Sequence, residues 1–87
     1  SNLNKNQKKI ASNIFYYLKN IKKKIKNNYN LFNINKIKKD LIYLGASKID
    51  YLENYNIRSF KKIKRPNKKF NLFFAYYIKN TRLIDNI

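Results

Sequence analysis

The sequence contains no cysteine and no histidine among its 87 residues. Without cysteine, these residues can form no disulfide, no thiolate zinc site and no thiol nucleophile. Without histidine, they lack an imidazole metal ligand, any Ser-His-Asp or Cys-His arrangement, and the commonest general base at neutral pH. The two absences together exclude most familiar kinds of hydrolytic and metal-dependent active site from this stretch of chain.

Glycine and acidic residues are also scarce. One glycine cannot build a GxGxxG or GxxxxGK[ST] phosphate-binding loop. The four carboxylates are Asp40, Asp50, Glu53 and Asp85. Strict alternation along a strand would place Asp50 and Glu53 on opposite faces, so no acid/base pair is expected. We therefore predict that residues 1–87 contain no catalytic, cofactor-binding or metal-binding residue.

Long hydrophobic runs are absent too. No run approaches the ~18 apolar residues of a membrane span, and the first residues lack the apolar segment of a signal peptide. We predict a soluble, cytoplasmic protein without a membrane partner. A weaker alternative, attachment of a lysine-rich helix face to anionic lipid, would need an apolar stripe that the core also needs.

Positive charge is abundant, with a formal net charge of +17. Clustered Lys and Arg neutralise phosphates, which favours a nucleic-acid ligand. However, Lys, Asn, Ile, Tyr and Phe, whose codons are rich in A and T, make up 61 of the 87 residues. We interpret the charge mainly as the product of a very A+T-rich genome, and we predict no specific nucleic-acid partner.

A small basic RNA- or DNA-binding domain is the alternative hypothesis. Its main support is the basic stretch at residues 58–69, which has Phe60 inside it and Phe70 at its end. Basic residues interleaved with aromatics can bind single strands through charge and stacking. A solvated connector would have the same composition, and the other aromatic residues are expected in the core: Tyr16, Tyr17, Tyr51, Phe73, Phe74, Tyr76 and Tyr77.

Two amphipathic helices are predicted in the first half. The first begins after Asn4, a candidate N-cap with Gln7 three residues on, and its apolar stripe consists of Ile10, Ile14, Leu18, Ile21 and Ile25. After a turn at residues 26–31, a second helix starts near Asn33. Its predicted apolar face is Ile34, Ile37, Leu41 and Ile42, and Gly45 is placed to end it.

Strands follow Gly45, where the apolar period changes from 3.6 to 2. Residues 48–55 and the apolar run 70–78 predict two strands, the second buried on both faces, and residues 82–87 predict a short third strand. Pro66 marks a turn in the connector. The order of elements predicts an α+β fold, with two helices packed on a small antiparallel sheet.

Two segments together resemble one known family. They are Leu44-Gly45-Ala46-Ser47-Lys48-Ile49-Asp50-Tyr51-Leu52-Glu53 and the closing segment that contains Thr81-Arg82-Leu83-Ile84-Asp85-Asn86. In order and separation they are similar to the C-terminal domain of the pantothenate synthetase (pantoate-beta-alanine ligase) family. The resemblance covers residues 1–87, and Ser1 falls just after the family's Ser-Ser-Arg-Asn motif.

The resemblance implies an ATP-dependent ligase that condenses pantoate and β-alanine to pantothenate through pantoyl adenylate, with release of AMP and diphosphate. It implies that residues 1–87 form the C-terminal lid domain, partnered by an N-terminal, Rossmann-like ATP-binding domain that is not among these residues. ATP and Mg, the substrates, and a homodimeric assembly are then expected for the full-length enzyme. The lid alone is expected to be inactive and to bind no cofactor.

The sequence departs from the family pattern in three places. The glycine that usually precedes Thr-Arg is replaced at Lys79-Asn80, where we predict that Asn80 adopts the positive φ. The Arg-Asp that usually follows the first strand is replaced by residues 55–58. The connector, often acidic in relatives, is basic here.

Overall fold

The computed structural model describes residues 3–27, 33–55 and 71–87. The helices are α1 (Lys5–Asn27) and α2 (Ile34–Leu44), and the strands are β1 (Lys48–Tyr55), β2 (Asn71–Ile78) and β3 (Thr81–Asn86). The three strands form one antiparallel sheet in the order β1-β2-β3. The α+β prediction is confirmed. The predicted basic stretch at residues 58–69, with Pro66 and Phe70, lies outside the described residues, as does most of the predicted first turn.

The start of α1 is a reciprocal capping box. The backbone N–H of Gln7 donates to Asn4 Oδ1 at 2.8 Å, and the N–H of Asn4 donates to Gln7 Oε1 at 3.0 Å. This pairing satisfies donors that a helix start otherwise leaves open. It also explains why a polar residue, Gln7, is buried at the first turn.

The end of α2 is a Schellman motif. Gly45 has φ 126°, its N–H donates to the carbonyl of Ile42 at 3.1 Å, and the N–H of Ala46 donates to the carbonyl of Leu41 at 3.0 Å. Both bonds satisfy carbonyls at the helix end, and the buried pair Ala46 and Leu41 makes the apolar contact typical of this motif. The prediction that Gly45 ends α2 is confirmed.

The core lies between the two helices and one face of the sheet. One cluster contains Ile14 and Leu18 of α1 and Ile37 and Leu41 of α2. Its other buried members are Ala46, which lies between α2 and β1, and the sheet residues Leu52, Phe74, Tyr76 and Ile78. Ile42 was predicted to share the α2 apolar face but is 47% exposed. It follows Ile34 by eight residues, which rotates it about 80° away from that residue around the helix.

The aromatic residues divide between core and surface. Phe74 and Tyr76 are buried and stack with their ring centroids 6.1 Å apart, as predicted. Burial, together with the nearby charge of Asp85, raises the pKa of Tyr76 to about 12. Tyr16 was predicted in the core but is 61% exposed, because it lies on the side of α1 opposite Leu18.

Candidate functional site

A β-bulge in β1 sets which side chains reach each face of the sheet. Ile49 pairs with Tyr76 and Tyr51 with Ala75, so Asp50 is an extra residue in the ladder. The insertion shifts the alternation by one residue and brings Leu52 back to the core face, where it is 1% exposed. The strict alternation assumed for Asp50 and Glu53 is therefore wrong, since residues three apart across the bulge share a face.

Asp50 is held by an arginine on the far side of β2. Arg82 Nε and Nη2 donate to Asp50 Oδ2 at 3.0 and 2.7 Å, and both side chains are 40% exposed. The hydrogen bond to Asp50 raises the pKa of Arg82 above its usual value. Asp50 is thus an ion-pair partner that joins β1 to β3, and nothing in this geometry suggests a catalytic acid.

The second face of the sheet carries three rows of side chains, defined by the strand register. The rows are Lys48–Tyr77–Arg82, Tyr51–Ala75–Ile84 and Glu53–Phe73–Asn86. Both helices pack on the opposite face, and no helix in the described ranges covers these rows. We call this surface, made of the nine residues just named, the open sheet face.

The middle of the open sheet face is apolar, and its four corners, Lys48, Arg82, Glu53 and Asn86, are polar. Ala75 is fully buried between its strand neighbours, Tyr51, Phe73 and Tyr77 are half-buried, and Ile84 is 59% exposed. The apolar run of β2 predicted a strand buried on both faces, and only the helix side is covered within the described residues. Its aromatic and aliphatic content is typical of a surface that contacts another protein segment.

The two helices are linked by a polar contact at the edge of the core. The hydroxyl of half-buried Tyr17 donates to Asp40 Oδ2, which also accepts from Lys36 Nζ at 2.9 Å. The hydrogen bond from Tyr17, supported by Lys36, lowers the pKa of Asp40. Burial and then the Asp40 bond raise the pKa of Tyr17 well above its usual range. Asp40 is consequently a structural anion that joins α1 to α2.

The described part of the chain offers only a small groove for a small molecule and no cluster of carboxylates for a metal ion. One groove between the helices has a volume of about 200 Å³ and is lined by residues that include Tyr17, Lys24 and Lys36. Ligand pockets usually measure ~300 to 1,000 Å³. No three Asp or Glu side chains in the described part of the chain lie close enough together to hold a metal ion.

Comparison with known proteins identifies the family. The family model described as "Pantoate-beta-alanine ligase" matches residues 1–87. The chain belongs to the pantoate-beta-alanine ligase family. A curated relative, the pantothenate synthetase of Ruthia magnifica subsp. Calyptogena magnifica, is 34% identical over 85 residues, which is 98% of this chain. The chain spans 30% of that relative's length. No solved structure matched.

The segments that resemble the ligase family have clear structural roles. Gly45 ends α2, the segment after it forms the bulged strand β1, and Thr81–Asn86 is β3. The β2–β3 turn differs from our prediction, because Lys79 adopts the positive φ, 54°, and Asn80 does not. The N–H of Lys79 donates to Ser47 Oγ at 2.9 Å. A positive φ at only the first residue of a two-residue loop is the pattern of a type II′ turn.

Besides the exposure of Ile42 and the positive φ of Lys79, sequence reasoning missed three further features of this structure. It did not find the bulge at Asp50, the contact between Tyr17 and Asp40, or the exposure of Tyr16. The first two depend on tertiary packing and have no local pattern. Helical periodicity could have found the third, because Tyr16 lies between two residues of the apolar stripe in sequence yet outside that stripe on a helical wheel.

Proposed function

We propose that residues 1–87 form the C-terminal lid domain of a pantothenate synthetase. In this proposal the whole enzyme uses ATP to form pantoyl adenylate and diphosphate, and β-alanine then displaces AMP to give pantothenate. The match of the family model to all 87 residues supports it. So does the coverage of the relative, since a segment spanning 30% of a pantothenate synthetase corresponds to one part of that enzyme.

The lid contributes no catalytic group in this proposal. Cysteine and histidine are absent from residues 1–87. Two of the four carboxylates, Asp40 and Asp50, are engaged by side chains that hold helices or strands together. ATP-dependent enzymes commonly bind Mg²⁺ through one or two carboxylates plus substrate phosphates. The other two carboxylates, Glu53 and Asp85, pair in register with Phe73 and Phe74 and therefore lie on opposite faces of the sheet. No two free carboxylates meet in such a centre within the described residues, so we assign ATP and Mg²⁺ to the remainder of the enzyme.

We assign the open sheet face as the surface that meets the catalytic part of the enzyme. Its half-buried aromatic residues and the exposed Ile84 would be desolvated by that contact. Closing a lid over a reactive acyl adenylate excludes water and so protects the intermediate from hydrolysis. The proposal also includes a homodimeric, cytoplasmic enzyme with no membrane partner. No helix in the described ranges is long and apolar enough to span a membrane.

The test uses a joined enzyme, in which residues 1–87 replace the matching segment of the Ruthia magnifica pantothenate synthetase. Ile84→Asp places a charge on the open sheet face, where docking would bury it without a partner. We expect the rate of pantothenate formation to fall about tenfold or more. The buried charge should destabilise the closed form of the enzyme, and each loss of about 1.4 kcal/mol there lowers the rate tenfold.

The matched control is Ile42→Asp. Ile42 is 47% exposed on α2, away from the sheet, so the same change of side chain there should leave the rate near that of the parent. Both variants should melt within a few degrees of the parent by circular dichroism. Equal rates for the two variants would contradict the assignment of the docking face.

A further inference from the structure

The outward side of α1 combines charge with exposed aromatic rings. The helix carries eight lysines and no acidic residue. At 100° per residue, five exposed lysines fall within a sector about 60° wide. They are Lys5, Lys8, Lys19, Lys23 and Lys26. We call these five residues the lysine stripe, and it runs nearly the whole length of α1, about 35 Å.

Two aromatic residues flank the lysine stripe. On the same wheel, Phe15 lies about 20° beyond one edge of the stripe and Tyr16 about 20° beyond the other. Phe15 is 36% exposed and Tyr16 is 61% exposed. Their rings meet edge to face with centroids 5.9 Å apart, and Lys19 Nζ lies 5.8 Å from the Phe15 centroid. Cations and rings therefore share one surface in the middle of the helix.

Nothing on α1 itself neutralises this charge. Lysines three or four residues apart, such as Lys19 and Lys23, repel each other and disfavour the helix. The carboxylate that contacts α1, Asp40, is engaged by Tyr17 and Lys36 in the groove toward α2. A polyanion bound along the stripe would relieve the repulsion. Base composition accounts for the abundance of both lysine and aromatic residues, but it does not explain why Phe15 and Tyr16 lie beside the lysine stripe on the outward side of α1.

We infer that this side of α1 binds a single-stranded nucleic acid without sequence preference. The lysine stripe would contact successive phosphates, and the rings of Phe15 and Tyr16 would stack on unpaired bases. A duplex keeps its bases stacked on one another, which favours a single strand as the ligand. Anionic lipid fits less well, because the apolar side of α1, including Ile14 and Leu18, is buried in the core and cannot insert.

The test is fluorescence anisotropy with a labelled 12-nucleotide oligouridine, titrated at several NaCl concentrations from 50 to 200 mM with the intact protein that carries residues 1–87. Lys19→Gln with Lys23→Gln should weaken binding and lower the slope of log K against log salt by about 1.4, since each lysine–phosphate contact to a single strand contributes about 0.7. The matched control, Lys24→Gln with Lys39→Gln, removes the same charge away from the stripe and should change the slope little.

The aromatic contribution is tested separately. Phe15→Ala with Tyr16→Ala should weaken binding about tenfold or more at every salt concentration without changing the slope, because stacking releases no counterions. Tyr43→Ala, which removes a ring that is 90% exposed on α2, should have no effect. Thermal melts of each variant by circular dichroism serve as the control that the helices remain folded.

Three results would overturn the inference. In the first, the double variant of Lys19 and Lys23 and the control double variant of Lys24 and Lys39 weaken binding equally. Overall charge, and not the lysine stripe, would then determine binding. In the second, the aromatic double variant binds as tightly as the parent. In the third, phosphatidylserine vesicles or a duplex RNA of equal length bind as tightly as the single strand, which would assign the surface to a different anion.

Discussion

At the scale of single residues, the ion pair of Asp50 and Arg82 shows how one bulge gives a side chain a new role. The extra residue in β1 leaves Asp50 beside the open sheet face, on the same side of the sheet, where Arg82 reaches it across β2 with two hydrogen bonds to one oxygen. Both side chains are partly solvated, so water and salt screen the pair. The pair therefore fixes the relative position of β1 and β3 more than it contributes to stability.

Arg82→Ala should lower the melting temperature of the chain by only a few degrees. The drop should be larger at 20 mM than at 500 mM NaCl, because salt screens an exposed pair. Circular dichroism melts measure both values. Lys23→Ala, at an exposed site on α1, removes the same charge and should change the melting temperature less. An Arg82→Ala melt identical to the parent at low salt would indicate that Arg82 serves the partner domain instead.

At the scale of elements, the end of α2 is tied to the packing of α1. A Cβ built on Gly45 would lie 2.9 Å from Ile10 Cγ2, closer than real Cβ contacts, and 3.0 Å from Ile10 Cδ1, which is also tight. The backbone of Gly45 also has φ 126°, which residues with a side chain rarely adopt. One glycine thus permits both the turn out of α2 and the close approach of the two helices.

Gly45→Ala should destabilise the chain by about 1 to 3 kcal/mol from backbone strain, plus the contact with Ile10. For a domain of this size, each 1 kcal/mol lowers the melting temperature by about 4 to 8 °C. Ile10→Ala removes the clashing atoms and should therefore cost less in the Gly45→Ala background than in the parent. Urea titrations of the parent, the two single variants and the double variant measure the free energy of unfolding of each. If the two single losses add up to the loss of the double variant, only the backbone conformation of Gly45 matters.

Local signals predicted most of the elements. Asn4 and Gln7 marked the start of α1, Gly45 marked the end of α2, and a change of period marked the strands, because each depends on neighbours in sequence. The bulge at Asp50 could not be predicted in this way. The bulge arises because Leu52 packs into the core while Ile49 pairs with Tyr76, and an unbulged strand would place these two residues on opposite faces. Both contacts are made with other elements of the fold.

At the scale of the whole molecule, the absent residue types predict more than the abundant ones do. Without cysteine and histidine, residues 1–87 lack the commonest catalytic side chains, which predicts that catalysis lies elsewhere. The resemblance pointed to the pantoate-beta-alanine ligase family, and the family match confirms that membership. The candidate docking surface needed the structure, since the faces of the sheet were assigned only once the bulge and register were known.

We propose that residues 1–87 act as a lid and that the catalytic groups belong to the rest of the enzyme. The most direct measurement is pantothenate formation from pantoate, β-alanine and MgATP, followed by mass spectrometry, for residues 1–87 alone and for the joined enzyme. We predict no product above the buffer background from residues 1–87 and sustained turnover by the joined enzyme. Pantothenate formation by residues 1–87 alone would contradict the account.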